Sequence, residues 1–265
     1  MRRIAVNGAE LAYDERGEGD PVVCVHGTGT YSATWTPSTE PIARTHRVIA
    51  YDRRGYGASS GPPASSMKTH VDDLADLLRA LDATPAALVG QSAAGVIVLA
   101  LAARNPELVR SIVLAEPANQ MALFPSASAA GALAMVGYRA LVRRASEEAA
   151  VGFYRWASSR PGGNGFDSMP AEWQETGRAH NGAVLREILQ LALPVPRARD
   201  LRRVAHPTTI AITDGGRAVF RRTTRRVDRL LPNSRLVEIP GAGHLIPTDK
   251  PAEFARLLAS SLESA

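Results

Sequence analysis

The feature that most constrains this chain is a set of short runs that are apolar on consecutive residues. "PVVCVHG", "HRVIAYDRRG", "AALVG" and "SIVLAEP" carry the cores VVCV, VIAY, AALV and IVLA. A strand with one wet face alternates polar and apolar residues, whereas an unbroken apolar run is covered on both faces. Runs this short leave no room for helical caps, and they read as buried strands. Helical spacing separates them. "HVDDLADLLRALDA" places Val71, Leu74, Leu77, Leu78 and Leu81 on one face, and "AAGVIVLALAARNPELV" reads as a second helix. The pattern resumes downstream with a strand "PTTIAIT", an arginine-rich helix, a strand "SRLVEIPGAG" and a helix "PAEFARLLASSL". "RIAVNG" and "AELAYDERG" form a hairpin around Asn7-Gly8, a favoured tight-turn pair. Such alternation predicts an α/β chain with a mostly parallel central sheet and helices on both faces.

Between Ala118 and about Pro194 the alternation stops. The stretch reads as helices joined by loops such as "SSRPGGNGFDSMP". The expected division is therefore a core of residues 1–118 and 195–265 with an inserted helical cap of residues 119–194. Ligands of open α/β sheets bind at the carboxyl edge of the strands, and a cap placed after a sheet strand lies over that edge.

The chain has 265 residues, 45% of them hydrophobic, enough for one large domain carrying an insertion. No apolar stretch reaches the roughly 20 residues that span a bilayer, and the start "MRRIAVNGAELAYDERGEG" lacks the apolar core of a secretory signal. Cys24 is the only cysteine and lies within a buried run, which excludes an internal disulfide and fits a reducing cytoplasm. No Cys/His cluster has metal-ligand spacing, so no metal is expected. The formal charge of +5 is carried mainly by arginine, Lys68 and Lys250 being the only lysines. The densest run, Arg217 to Arg229, reads as a helix whose apolar face is Phe220, Thr223, Val227 and Leu230. Without interleaved aromatics this is a solvated face rather than a nucleic-acid surface.

Three segments carry chemistry. In "LVGQSAAGV", Ser92 stands at a strand–helix junction between small residues, with Gly90 before it and Ala94-Gly95 after it. A hydroxyl there projects above the sheet beside a helix N-terminus; the alternative is a helix-capping serine. "VCVHGTG" ends a strand with His26-Gly27-Thr28-Gly29, where His26 is expected to brace the loop by hydrogen bonding. "IPGAGHLIPTDKP" places His244 on a short rigid loop, positioned to deprotonate a serine and later protonate a leaving group. His46, His70, His180 and His206 have no comparable context.

With "HGTG", "DRRGYGAS", "GQSAAG" and "GAGH" in place, the chain resembles the α/β-hydrolases that carry a helical cap, over almost all of its length outside the cap. The resemblance implies an oxyanion hole formed by the backbone N–H groups of Thr28 and Ala93. Ala94 departs from the motif's final glycine. A second departure concerns the acid that orients the histidine. Family members commonly place it beyond the strand "PTTIAIT", but the segment "TDGGRAVF" holds Arg217 at that position. The candidates are Glu116, at the end of "SIVLAEP", where some dehalogenases and lactone hydrolases place the acid, and Asp214 on the usual loop. The competing role for Glu116 is a salt bridge to Arg53 or Arg54. Trp35, Trp156, Trp173 and His180 are candidate walls of a substrate pocket.

The resulting expectation is a serine hydrolase of an ester or lactone, using Ser92, His244 and Glu116 without a cofactor. Its partner would be a small to medium, partly apolar substrate, and neither nucleic acid nor membrane; a homodimer is open. Carbon–carbon bond hydrolysis, a lyase or cyclase step, and a non-enzymatic ligand receptor are the alternatives.

Overall fold

The computed structural model describes residues 1–118, 127–190 and 196–264. The apolar runs form strands that alternate faces within one layer. In β3 (Pro21–Val25), Val23 and Val25 pack into the apolar layer that contains Leu74, Leu78 and Ile97, while Val22 and Cys24 pack on the other side with Trp35, Phe254 and Leu258. Both faces of the strand are therefore dry, which is why its sequence does not alternate.

The sheet comprises β1 (Arg2–Val6), β2 (Ala9–Arg16), β3, β4 (Arg47–Tyr51), β5 (Ala86–Gln91), β6 (Val109–Ala115), β9 (Thr208–Ile212) and β10 (Ser234–Glu238), in the order β1-β2-β4-β3-β5-β6-β9-β10. β1 and β2 form the expected hairpin, with Asn7 and Gly8 at φ 45° and 71°. β2 also runs antiparallel to β4, and every pairing from β4 to β10 is parallel. Val25 aligns with Gly90, Gln91 with Ala115, and Ala115 with Ala211. This register brings the exits of β3, β5, β6 and β9 to one edge, so His26, Ser92 and Glu116 leave the sheet together.

Helix α1 (Met67–Ala80) buries Val71, Leu74, Leu77 and Leu78, and α2 (Ala93–Arg104) follows β5 directly. The sequence suggests that α2 runs on through Pro106 to Val109. It ends instead at Arg104, and Pro106–Leu108 forms a separate 3₁₀ turn. Proline has no N–H to continue the ladder and drives the preceding Asn105 out of the helical region.

The segment between β6 and β9 contains α3 (Ala127–Gly137), α4 (Ser146–Ala157), α5 (Ala171–Ala179) and α6 (Asn181–Gln190). It is not wholly helical. Within "SSRPGGNGFDSMP", β7 (Ser159–Arg160) pairs with β8 (Gly163–Asn164) around Gly162 and Gly163, both at positive φ. Val136, Ala149, Ala150, Val151, Tyr154, Phe166, Val184 and Ile188 give the segment its own apolar cluster, with Tyr56 contributed by the core. The junctions expected at 119 and 194 lie outside the described residues. Helix α7 (Ala218–Leu230) buries Phe220, Thr223, Val227 and Leu230 as its spacing requires, while Arg222, Arg225, Arg226 and Arg229 face solvent. The final helix is α8 (Pro251–Glu263). No helix among the described residues is long and apolar enough to cross a membrane.

A tight crossing lies where α2 passes the exit of β6. A Cβ built on Gly95 would stand 2.5 Å from Pro117 Cβ and 2.9 Å from Pro117 Cα. Gly95→Ala is expected to destabilise the protein by about 1–3 kcal/mol through this overlap, read as a lowered urea midpoint at unchanged slope. An unchanged midpoint would show that the crossing can widen freely.

Candidate active site

Ser92 lies between the end of β5 and the start of α2 with φ 55° and ψ −120°. A non-glycine residue there is strained by about 1–3 kcal/mol and persists only where its neighbours hold it. Its N–H donates to Ala115 O at 3.0 Å, and its carbonyl accepts from Gly95 N at 2.9 Å and Ala118 N at 3.0 Å. Ala94, at the motif's final glycine position, buries its methyl completely. The glycine that close approach demands is Gly95, one place later.

His244 follows β10 on a loop tied down from several sides. Thr213 Oγ1 donates to Ala242 O at 2.6 Å, Gly243 N to Asp249 Oδ2 at 2.7 Å, and Gln91 Nε2 to His244 O at 3.2 Å. The imidazole is buried and lies between two partners. Its Nδ1 is 2.8 Å from Glu116 Oε2 and its Nε2 is 2.9 Å from Ser92 Oγ. An ionised carboxylate only accepts, so Nδ1 carries the proton and Nε2 accepts the serine hydroxyl. Phe220 stacks on the ring, with centroids 3.6 Å apart and planes inclined by 15°. Glu116 is fully buried at φ 41°, anchored by its N–H to Ala211 O at 3.1 Å.

The structure thus brings Ser92, His244 and Glu116 together and leaves Asp214 out. Asp214 is exposed, and its Oδ1 accepts from Gly241 N at 2.9 Å, bracing a turn rather than meeting the imidazole. Arg217 points to the inserted segment, donating from Nε to Trp156 O at 2.7 Å with its guanidinium 5.0 Å from the Trp156 ring. Neither arginine proposed as a partner for Glu116 reaches it. Arg54 pairs with Asp73 at 2.6 Å and Arg53 with Glu187 at 2.9 Å.

His26 is the expected loop brace. Its Nδ1 donates to Gly27 O at 2.8 Å and its Nε2 accepts from Arg53 N at 2.9 Å. Beside it lies a buried polar cluster with no evident local motif. Glu187 of α6 accepts from Thr28 Oγ1 at 2.6 Å, from Arg53 Nη1 and Nη2 at 2.9 and 3.1 Å, and from Tyr56 OH at 2.7 Å. Burial alone would raise the Glu187 carboxyl, but Arg53, then His70 and the hydrogen bonds from Arg53 and Thr28, hold it below the usual carboxylate range.

Above Ser92 is a narrow cavity of about 30 Å³, room for one or two waters. Its floor is Thr28, Gly29, Ser92 and His244, and its roof is Phe153, Tyr154, Phe166 and Met169 of the inserted segment. Tyr154 lies directly where a side chain on Gly29 would go. The four pocket candidates do not line this cavity. Trp35 is buried beneath the sheet edge against Phe254, 6.0 Å between centroids. Trp156 stands one layer back, packed on Phe153 and Phe220. Trp173 meets the edge of Tyr31, and His180 Nε2 accepts from Gly57 N at 2.9 Å. The phase of α4 explains the exchange: Phe153, Tyr154 and Ala157 face Ser92, which turns Trp156 toward α7. Among the described residues no group of three or more His, Cys, Asp or Glu is placed to hold a metal ion.

A serine at a strand–helix elbow, bonded through imidazole to a carboxylate at the carboxyl edge of a parallel sheet, defines a hydrolase of the α/β class. The chain belongs to the alpha/beta hydrolase fold family, which it matches over residues 20–251. A putative non-heme bromoperoxidase, BpoC, of Mycobacterium tuberculosis is 42% identical over 106 residues, 39% of this chain and about 40% of that protein's length. The 2-hydroxy-6-oxo-2,4-heptadienoate hydrolase of Pseudomonas putida is 28% identical across 97% of this chain and 94% of its own. A thermophilic esterase from Thermogutta terrifontis shares the fold, with a TM-score of 0.82 over 100% of this chain and 99% of its own, at 24% identity.

Two buried histidines make stability depend on pH. Burial and the Arg53 guanidinium push His70 down from 6.5 to about 3, and the same causes push His26 well below its ordinary value. Between about 6.5 and 3 the unfolded chain binds a proton at His70 that the folded ring refuses, and His26 acts in the same sense. Stability therefore falls as the pH falls through that window, by up to roughly 1.4 kcal/mol per pH unit for His70, with His26 adding in the same direction. Urea midpoints are expected to drop steadily from about pH 7 to about pH 4.5, with a shallower drop in His70→Gln. Identical slopes in the two proteins would contradict a neutral His70.

Proposed function

We propose that the protein is a serine hydrolase that cleaves an ester or lactone of a small to medium, partly apolar substrate through an acyl-enzyme. The relay Ser92 Oγ to His244 Nε2 and His244 Nδ1 to Glu116, at 2.9 and 2.8 Å, carries this reading. Ser92 Oγ attacks the carbonyl carbon while His244 takes its proton. Glu116 holds the imidazole tautomer and balances the imidazolium formed. The carbonyl electron pair moves onto oxygen, where the backbone N–H groups of Thr28 and Ala93 receive it. Ala93 begins α2, so its N–H has no partner within the helix. Collapse expels the alcohol oxygen, which takes the proton from His244, and a water then repeats the sequence on the acyl-enzyme.

The inserted segment acts in this reading as the cap that selects substrate. Phe153, Tyr154, Phe166 and Met169 present an apolar roof and leave little space over Ser92, which favours a short acyl group. A second reading, hydrolysis of a carbon–carbon bond, has a specific support: a relative aligned along 97% of the chain carries the name of a dienoate hydrolase.

Short-chain p-nitrophenyl esters should be hydrolysed, and a fluorophosphonate should label Ser92 in the wild type but not in Ser92→Ala. Glu116→Gln is expected to lower kcat by about 10⁴, the cost of losing the carboxylate in a comparable triad, while Asp214→Asn stays within about twofold. Folded protein that resists labelling would overturn the hydrolase reading. Loss of activity in Asp214→Asn but not in Glu116→Gln would overturn the choice of acid.

A further inference from the structure

The loop that carries Thr28 is fixed by groups that the reaction itself does not use. Gly27 O accepts from Arg53 Nη2 at 3.0 Å and from His26 Nδ1 at 2.8 Å. The bond between residues 27 and 28 is trans, as the only cis peptide bond among the described residues is Thr84–Pro85. In a trans peptide plane the C=O and N–H point in opposite directions. With Gly27 O turned toward Arg53, the Thr28 N–H is turned away from it, and Thr28 and Ser92 both line the cavity. The loop also runs close by the serine, since a Cβ on Gly27 would stand 3.2 Å from Ser92 Cβ.

Glu187 grips this peptide at both ends. It holds Arg53, which holds Gly27 O, and it accepts the Thr28 hydroxyl at 2.6 Å. It comes from α6 in the inserted segment, yet every hydrogen-bonded partner belongs to the sheet domain. The carboxylate and the guanidinium are both buried, at 2% and 0% side-chain exposure, so water does not weaken the grip. We propose that Glu187 is a positioning residue for the oxyanion hole: through Thr28 and Arg53 it sets the direction of the Thr28 N–H, and so makes transition-state stabilisation depend on the docking of α6. This rests on the serine hydrolase reading.

A role confined to stability would lower the melting temperature and leave the kinetics alone, so the test reads both. Thr28→Val removes the hydroxyl and leaves the Arg53–Glu187 pair intact; Thr28→Ser keeps the hydroxyl. With p-nitrophenyl acetate, Thr28→Val is expected to lower kcat about 10- to 100-fold at nearly constant KM, the scale of a small misplacement of a reacting group. An aryl trifluoromethyl ketone should weaken in parallel. In its adduct Ser92 Oγ bonds the ketone carbon, the carbonyl electron pair moves to oxygen and His244 receives the serine proton. Thr28→Ser should recover kcat to within about threefold of wild type. Glu187→Gln, if it folds despite leaving Arg53 unpaired, should reproduce the loss in kcat and ketone affinity. Folded Thr28→Val with wild-type kcat and ketone affinity overturns the proposal while leaving fluorophosphonate labelling of Ser92, and the hydrolase reading, intact. Absence of labelling in the wild type defeats that reading, and the positioning role falls with it.

Discussion

The architecture depends on two neighbouring parallel strands that end in register and leave the sheet through left-handed residues. Ser92 at φ 55° and Glu116 at φ 41° are the exits of β5 and β6, and each is unfavourable alone. They are held by mutual bonding. Ser92 N meets Ala115 O, Ser92 O receives Ala118 N, and Glu116 N reaches across to Ala211 O. The strain of one exit is thus constrained by the backbone of the next. That arrangement presents a hydroxyl and a carboxylate on the same edge, a histidine's width apart, and His244 fills the interval.

Much of this was legible because it is local. The strands reveal themselves by apolar runs, and the elbow by small residues around Ser92. Glu116 could be picked out because Arg217 occupies the usual acid position. What escaped is non-local. Phe220 belongs to the apolar face of an arginine-rich helix, and nothing in that helix indicates that the face ends on His244. Glu187 reads as one more acidic residue in a surface helix; only the packing of α6 on the core places it beside Arg53. The tryptophans stay off the cavity above Ser92 for a related reason. Size marks a residue as important to packing, while the phase of α4 decides whether Trp156 or Phe153 meets the cavity.

Two of the buried carboxylates, Glu187 and Glu116, do different electrostatic work. Glu187 faces a permanent guanidinium and stays ionised, so its cluster is a fixed anchor. Glu116 faces an imidazole that in the proposed mechanism gains and loses a proton at each turnover, and it is the only charged partner within bonding distance of that ring among the described residues. Arg217 and Arg53, the nearby cations of the loops that frame the site, are each committed elsewhere, to Trp156 and to Glu187. Neither competes with His244 for Glu116.

The Arg53–Glu187 pair also limits how freely the two parts of the molecule can be recombined. The guanidinium belongs to the sheet domain and its counter-charge to the insertion, and each is dry only because the other is present. Exchanging the insertion for that of a relative would strand Arg53 unless the incoming helix carried a carboxylate at the same height, a mismatch costing about 3–5 kcal/mol. The insertion is therefore not an independent module. Its inheritance is tied to a single arginine in the core, and the two are expected to change together or not at all.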